Sequence, residues 1–269
     1  MTLGAGGEAV IATAAVAPVL ADAAVRSEQV TQLVLGETAA LLDRQGEWIR
    51  VRTDADGYEG WVNEGYVRAV SAGERAAWRA QAGGWSEGAR VAVGGEVVVL
   101  PLRARVALEE GLVALPDGRA GRCIDGDVRA AADVAAAARR LPAERWALER
   151  FRGAPYQWGG LTPWGVDCSG LVQTTFAARG VDVPRDSAQQ AEAGTAVPLD
   201  AIRPGDLLFF HSERGPKITH VAFAAEGDTL IHSTIARGGV VQEPFTPGSR
   251  AGEALRPRLV AARRIPERA

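Results

Sequence analysis

Lysine is almost absent from this 269-residue chain: Lys217 is the single one, and arginine carries the rest of the positive charge. That bias reads as coding preference rather than chemistry. Lys+Arg 30 against Asp+Glu 33 leaves a net charge of -3, with no basic excess and no run of like charge. The electrostatic footprint of a nucleic-acid binder is missing. Two cysteines, Cys123 and Cys168, cannot build a disulfide framework or a four-thiolate zinc site. One disulfide stays chemically open; a reduced, cytoplasmic protein is the simpler expectation, a secreted one the alternative. No stretch reaches the roughly 18 apolar residues of a spanning helix, so no membrane partner is expected. Histidine is scarce as well. His211, His220 and His232 are the three imidazoles from which any mechanism must choose.

What is present is apolar residue (47%), glycine (32) and proline (14) in proportions ordinary for a globular chain with many turns. The segment Ala9–Ala21 is apolar and ends in a small-residue site like that of a signal peptide. It lacks a positive n-region, because no Lys or Arg precedes Arg26, and Pro18 interrupts it. An opening β-strand is therefore expected there.

Three units are expected. In residues 1–70, Thr38–Leu42 and Trp48–Thr53 flank a Gln45-Gly46 turn, and Asp54–Gly57 turns into Tyr58-Glu-Gly-Trp-Val62. Short strands with closely spaced turns read as a small barrel. Residues 71–130 read as a second, divergent barrel of equal size. Asp117-Gly-Arg-Ala-Gly121 repeats the pattern of Asp56-Gly-Tyr-Glu-Gly60, and Arg68–Gln81 forms a helical link. In residues 131–269 the texture changes to Ala-, Arg- and Glu-rich helices separated by Pro142, followed by alternating helix and strand.

This last unit holds Cys168 and all three histidines. A Gly-rich loop precedes Asp167-Cys-Ser-Gly, and the apolar positions Leu171, Val172 and Phe176 follow with helical spacing. Cys168 is thus expected at the first turn of a helix, where the dipole and free N–H groups lower a thiol pKa. His220 lies in a strand, Ile218–Ala225, and small residues beside it leave room for a helix terminus and a substrate. The three-residue turn Glu226-Gly-Asp228 pairs Ala225 with Thr229 and puts His232 one diagonal step from His220 on the same face. One imidazole can then orient the other, as in a catalytic triad.

The ordered motifs Asp167-Cys-Ser-Gly, Pro184-Arg-Asp-Ser187 with Gln190, Pro204–Phe210, Thr219-His-Val-Ala and Ile231-His-Ser resemble the NlpC-type cell-wall peptidase family. The N-terminal part resembles bacterial SH3-like barrels. The whole resembles γ-D-glutamyl-L-diamino-acid endopeptidases. The resemblance implies a papain-like α+β catalytic domain preceded by two all-β SH3-like barrels, with no metal and no cofactor. It implies Cys168 as nucleophile, His220 as general base, His232 as its orienter and Tyr156 in the oxyanion region. Asp167, Ser169 and Ser187 would hold the N-terminal end of a murein-derived peptide, closed by Tyr58, with Glu28 a weaker candidate. A carboxylate there suits a free α-ammonium, although Asp167 would also oppose ionisation of the thiol beside it. The rival readings are an inactive wall-peptide binder, or an amidase or acyltransferase on the same scaffold. Cys123 is expected half-buried, His211 at a strand end, and Arg185 in an ion pair with Asp186 or Asp206.

Overall fold

The computed structural model describes residues 8–267, and the chain divides into two compact units, Met1–Val134 and Ala135–Ala269. The first unit opens with β1 (Ala9–Ala12), β2 (Val16–Leu20), β3 (Gln29–Val34), β4 (Thr38–Gln45), β5 (Trp48–Thr53), β6 (Glu59–Asn63) and β7 (Val67–Val70). These form one sheet in the order β3-β2-β6-β5-β4-β1-β7. Along β5, Ile49 and Val51 are buried while Arg50 and Arg52 are exposed, the period-2 alternation of a half-buried strand. The sheet wraps one core that includes Val10, Val19, Leu33, Ile49, Val51 and Val62. Truncating Leu33 or Ile49 to Ala costs about 2–5 kcal/mol.

Arg68–Val70 belongs to β7, so the helical link expected from Arg68 is shorter. It is α1 (Ala72–Gln81), started by a Ser71–Glu74 capping box. The second barrel is closed by β8 (Gly84–Val93), β9 (Glu96–Glu109), β10 (Leu112–Ala114) and β11 (Ala120–Ala130). With four strands against seven, the two barrels are not equal repeats. Their shared Asp-Gly turn is real: Gly57 and Gly118 both take positive φ, at 72° and 87°. Nor are their cores separate, since Val34 and Leu35 from the end of β3 join the core of the second barrel. Gly36 makes this possible, because a Cβ there would lie 1.9 Å from the Arg105 carbonyl oxygen. Arg103 seals the seam through a buried 2.6 Å ion pair with Glu37.

Helix α2 (Ala131–Ala138) spans the division, and α3 (Ala143–Phe151) follows Pro142, its N-cap residue. The second unit continues with a short hairpin, β12 (Leu161–Thr162) and β13 (Gly165–Val166), then α4 (Cys168–Ala177) and α5 (Ser187–Gln190). Its main sheet runs β14-β19-β15-β16-β17-β18. The strands are β14 (Thr195–Ala196), β15 (Leu207–His211), β16 (Ile218–Ala225), β17 (Thr229–Thr234), β18 (Gly239–Pro244) and β19 (Leu259–Arg264), with α6 (Arg250–Leu255) before the last. Helix α4 lies on the face that carries Phe223, whose ring centroid is 6.0 Å from that of Phe176. The other face buries Leu208, Phe210, Ala222, Ala224 and Leu230 under Phe245, Ala251 and Leu255. The sheet is therefore covered on both sides. The body of α4 does not sit in the space left by the small residues beside His220; α6 and Phe245 fill it.

Candidate active site

Asp167 is the N-cap of α4, its side chain accepting from the Gly170 amide at 2.7 Å. The same carboxylate accepts from the Gly159 amide (2.8 Å), from the Ser169 hydroxyl (3.2 Å) and from both Arg185 terminal nitrogens (3.1 and 2.6 Å). Arg185 also donates to Ser169 Oγ at 2.8 Å, and Gln190 Nε2 donates to the carbonyls of Ser169 (3.0 Å) and Pro184 (2.7 Å). The Pro184–Ser187 motif with Gln190 is thus a buried clamp on the first turn of α4. Gly170 is needed there, since a Cβ would lie 2.0 Å from the Gly160 carbonyl oxygen. Two expectations change. Arg185 pairs with Asp167, with the charge of the expected Asp186 also acting on it, while Asp206 pairs with Arg264. Asp167, expected to meet a substrate ammonium, has its oxygens taken by five hydrogen bonds and its charge offset by a guanidinium.

The sulfur of Cys168 lies where two strands part. Pairing between β16 and β17 starts with Ala225 opposite Thr229, the register a three-residue turn dictates, and runs to Phe223 opposite Ile231. Beyond that point the Val221 amide donates to the Cys168 sulfur, and Ser233 Oγ donates to the Val166 carbonyl at 2.6 Å. The chain leading into α4 is wedged into the opening. The Ser169 amide gives the sulfur a second hydrogen bond. These donors favour a thiolate, yet burial, followed by the charge of Asp167, pushes the Cys168 thiol up to about 12. The helix terminus does not ionise the resting sulfur, contrary to expectation; low dielectric outweighs it.

His220 stands one residue before Val221 on the same strand. Its Nε2 lies 2.8 Å from His232 Nδ1, and His232 Nε2 lies 3.0 Å from Glu243 Oε1. Burial, then His232, then Arg258 lower the His220 imidazole to about 3, so the ring rests neutral. A cavity of about 200 Å³ adjoins both rings and is also lined by Glu243, Leu255 and Arg258. Sequence reasoning missed Glu243. The signal was available in principle: β18 follows β17 directly, and pairing His232 with Val241 sets Glu243 on the same face, one step along.

Tyr156 is held by its amide on the Gly238 carbonyl (2.9 Å). Burial, then the neighbouring Cys168 and Asp167, raise its phenol pKa, so its hydroxyl remains a donor. Ser169 is buried within the clamp, and Ser187 is buried at the first position of α5. These residues and Cys168, His220 and His232 belong to the second unit. Tyr58 belongs to the first, half-buried in the turn before β6, with its amide donating to Thr53 Oγ1 at 2.9 Å. Glu28 is exposed in that unit. His211 ends β15, its Nδ1 2.6 Å from the Ser212 carbonyl oxygen. Cys123, expected half-buried, is exposed.

Comparison with known proteins bears on this arrangement. Residues 153–257 match the NlpC/P60 family, and residues 20–67 match the bacterial dipeptidyl-peptidase SH3 domain. A gamma-D-glutamyl-L-lysine dipeptidyl-peptidase of Bacillus subtilis is 33% identical over 222 residues, covering 76% of this chain and 71% of that one. The chain belongs to the NlpC/P60 family. The probable endopeptidase NlpC of Escherichia coli is 39% identical over 92 residues, 34% of this chain and 60% of that one. A crystal structure of an NlpC/P60 family protein from Bacillus cereus superposes with a TM-score of 0.78. The superposition covers 95% of this chain and 99% of that one at 22% identity, a likeness of fold. The architecture is papain-like α+β with an N-terminal SH3 region, and the second unit carries the peptidase domain of this family.

Proposed function

We propose that the protein is a cysteine endopeptidase that hydrolyses the γ-D-glutamyl–L-diamino acid bond of murein peptides carrying a free N-terminal L-Ala. The observation that carries the reading is a helix-terminal sulfur that accepts from the amide of Val221, the residue next to His220, whose ring contacts His232. The similarity to the gamma-D-glutamyl-L-lysine dipeptidyl-peptidase of Bacillus subtilis supports the bond.

With both partners neutral at rest, proton transfer and attack are coupled. The Cys168 thiol gives its proton to the His220 imidazole as sulfur bonds to the γ-carbonyl carbon, and the carbonyl electron pair moves to oxygen. The free Cys168 amide at the helix start and the Tyr156 hydroxyl receive that oxyanion. Collapse breaks the C–N bond, and His220 returns the proton to the leaving amine. Water then attacks the thioester, giving a proton to His220, which passes it to the departing sulfur.

With Asp167 saturated, recognition of the α-ammonium end falls, within the second unit, to the hydroxyl of Ser187. Small, soluble peptides of cell-wall turnover, met in the cytoplasm, are the substrates this reading favours. L-Ala-γ-D-Glu-L-Lys should be cleaved between the last two residues, and its N-acetylated form much more slowly. Equal rates on both would remove the ammonium requirement, and a product cut elsewhere would remove the bond assignment.

A further inference from the structure

The hydrogen-bond chain that ends on Glu243 has a direction, and the direction matters for the base. Glu243 Oε1 is 3.0 Å from His232 Nε2. An ionised carboxylate only accepts, so His232 carries its proton on Nε2. In its neutral form an imidazole has one N–H, and with that proton on Nε2 the His232 Nδ1 is a bare acceptor. His220 Nε2, 2.8 Å away, must supply the proton of that contact. His220 then has its lone pair on Nδ1. We propose that Glu243 is a positioning residue that fixes both imidazole tautomers and so leaves His220 Nδ1 unprotonated as the base that meets the thiol.

The inference rests on the reading of Cys168 and His220 as nucleophile and base. Without the carboxylate the chain can run either way. In the reverse sense His232 Nδ1 donates to His220 Nε2, the His220 proton sits on Nδ1, and the ring cannot accept from sulfur. Charged groups face this chain from neighbouring elements. Arg237 Nε stands 3.6 Å from the other Glu243 oxygen, and Arg250 adds positive charge to the same carboxylate. Arg258 acts on His220, and the Cys168 thiol is the remaining titratable neighbour on the far side of the Val221 amide. The His232 hydrogen bond, ahead of the opposing effect of burial, holds the Glu243 pKa below the usual carboxylate range, as an acceptor-only role requires.

The test is ¹⁵N NMR of the three imidazoles in full-length Cys168→Ala protein, where chemical shifts separate a bare ring nitrogen from a protonated one. The expected result is Nε2–H on both His220 and His232. A Glu243→Gln variant can donate as well as accept, and Glu243→Leu can do neither; in both, His220 should gain Nδ1–H population. With Cys168 restored, each variant should lose about 10- to 100-fold in kcat with KM changed less than about threefold. The acidic limb of kcat/KM should move to lower pH, because a negative charge that raises the imidazole pKa has gone. Purely structural damage would not move that limb. Nδ1–H on His220 in the protein with Glu243 intact overturns the proposal, and so do unchanged tautomers and an unchanged limb in Glu243→Gln. The tautomer reading needs no turnover, so it stands apart from the success of the peptidase assignment. If Glu243→Leu does not fold, the reading with Glu243 intact still decides.

Discussion

Two carboxylates flank the Cys168 sulfur and the histidine pair, and their surroundings are opposite in kind. Asp167, next to the thiol in sequence, is enclosed by a guanidinium, two amides and a hydroxyl. Glu243, at the far end of the histidine pair, hydrogen-bonds an imidazole and has Arg237 at 3.6 Å and the charge of Arg250 nearby. The first has a fixed counter-charge and serves the shape of the helix terminus; the second faces a group that titrates. The contrast teaches that the donors already surrounding a carboxylate decide its use, and proximity to the nucleophile does not.

The comparison has meaning only if the sulfur between these groups does the chemistry. Cys168→Ala should reduce turnover of L-Ala-γ-D-Glu-L-Lys by more than about 10⁴-fold in a folded protein, measured by product release. The two carboxylates should then separate on stability. Arg185→Met leaves Asp167 buried without its counter-charge and should cost about 3–5 kcal/mol in denaturant unfolding. Glu243→Gln should cost about 1 kcal/mol or less by the same measurement. Equal losses in the two variants would erase the distinction.

The neutral resting pair predicts a stability profile that falls at both ends. The folded His220 pKa, near 3, is below its ordinary 6.5, so the unfolded chain takes up the extra proton first. Stability is present above pH 6.5 and is lost as pH falls toward 3. The folded Cys168 pKa, near 12, is above its ordinary 9.0, so the unfolded chain releases its proton first. Stability is present below pH 9.0 and declines as pH rises toward 12. Each arm slopes by about 1.4 kcal/mol per pH unit at most. Chemical denaturation across pH reads both arms, and Cys168→Ala should flatten the alkaline one. On the oxyanion side, Tyr156→Phe should lower kcat by about 10²-fold with KM little changed.

Much of this was legible in the sequence. The strands Ile218–Ala225 and Thr229–Thr234 and the turn between them follow from alternation and a three-residue loop, and that register is what brings His220 to His232. The helix starting at Cys168 follows from an Asp cap and apolar spacing. Quantities set by packing between distant segments were not legible. Arg185 reaches Asp167, 18 residues away, besides the charge of its neighbour Asp186, and nothing local announces the longer reach. The thiol pKa depends on how much of the sulfur is covered, which no motif states. Val34 and Leu35 enter the second barrel's core because Gly36 lets the chain approach Arg105, a long-range fit invisible to strand periodicity. Glu243 was hidden because its strand, Gly239–Pro244, carries no motif of its own.

A sulfur that stays protonated, with only 7% of its residue's surface exposed, is chemically quiet until a ligand arrives. General electrophiles and peroxide should therefore spare Cys168 and mark the exposed Cys123 first. Covalent reagents aimed at Cys168 should need a peptide that brings the warhead to the buried sulfur, and a Cys123→Ser background will be the clean setting in which to see them react.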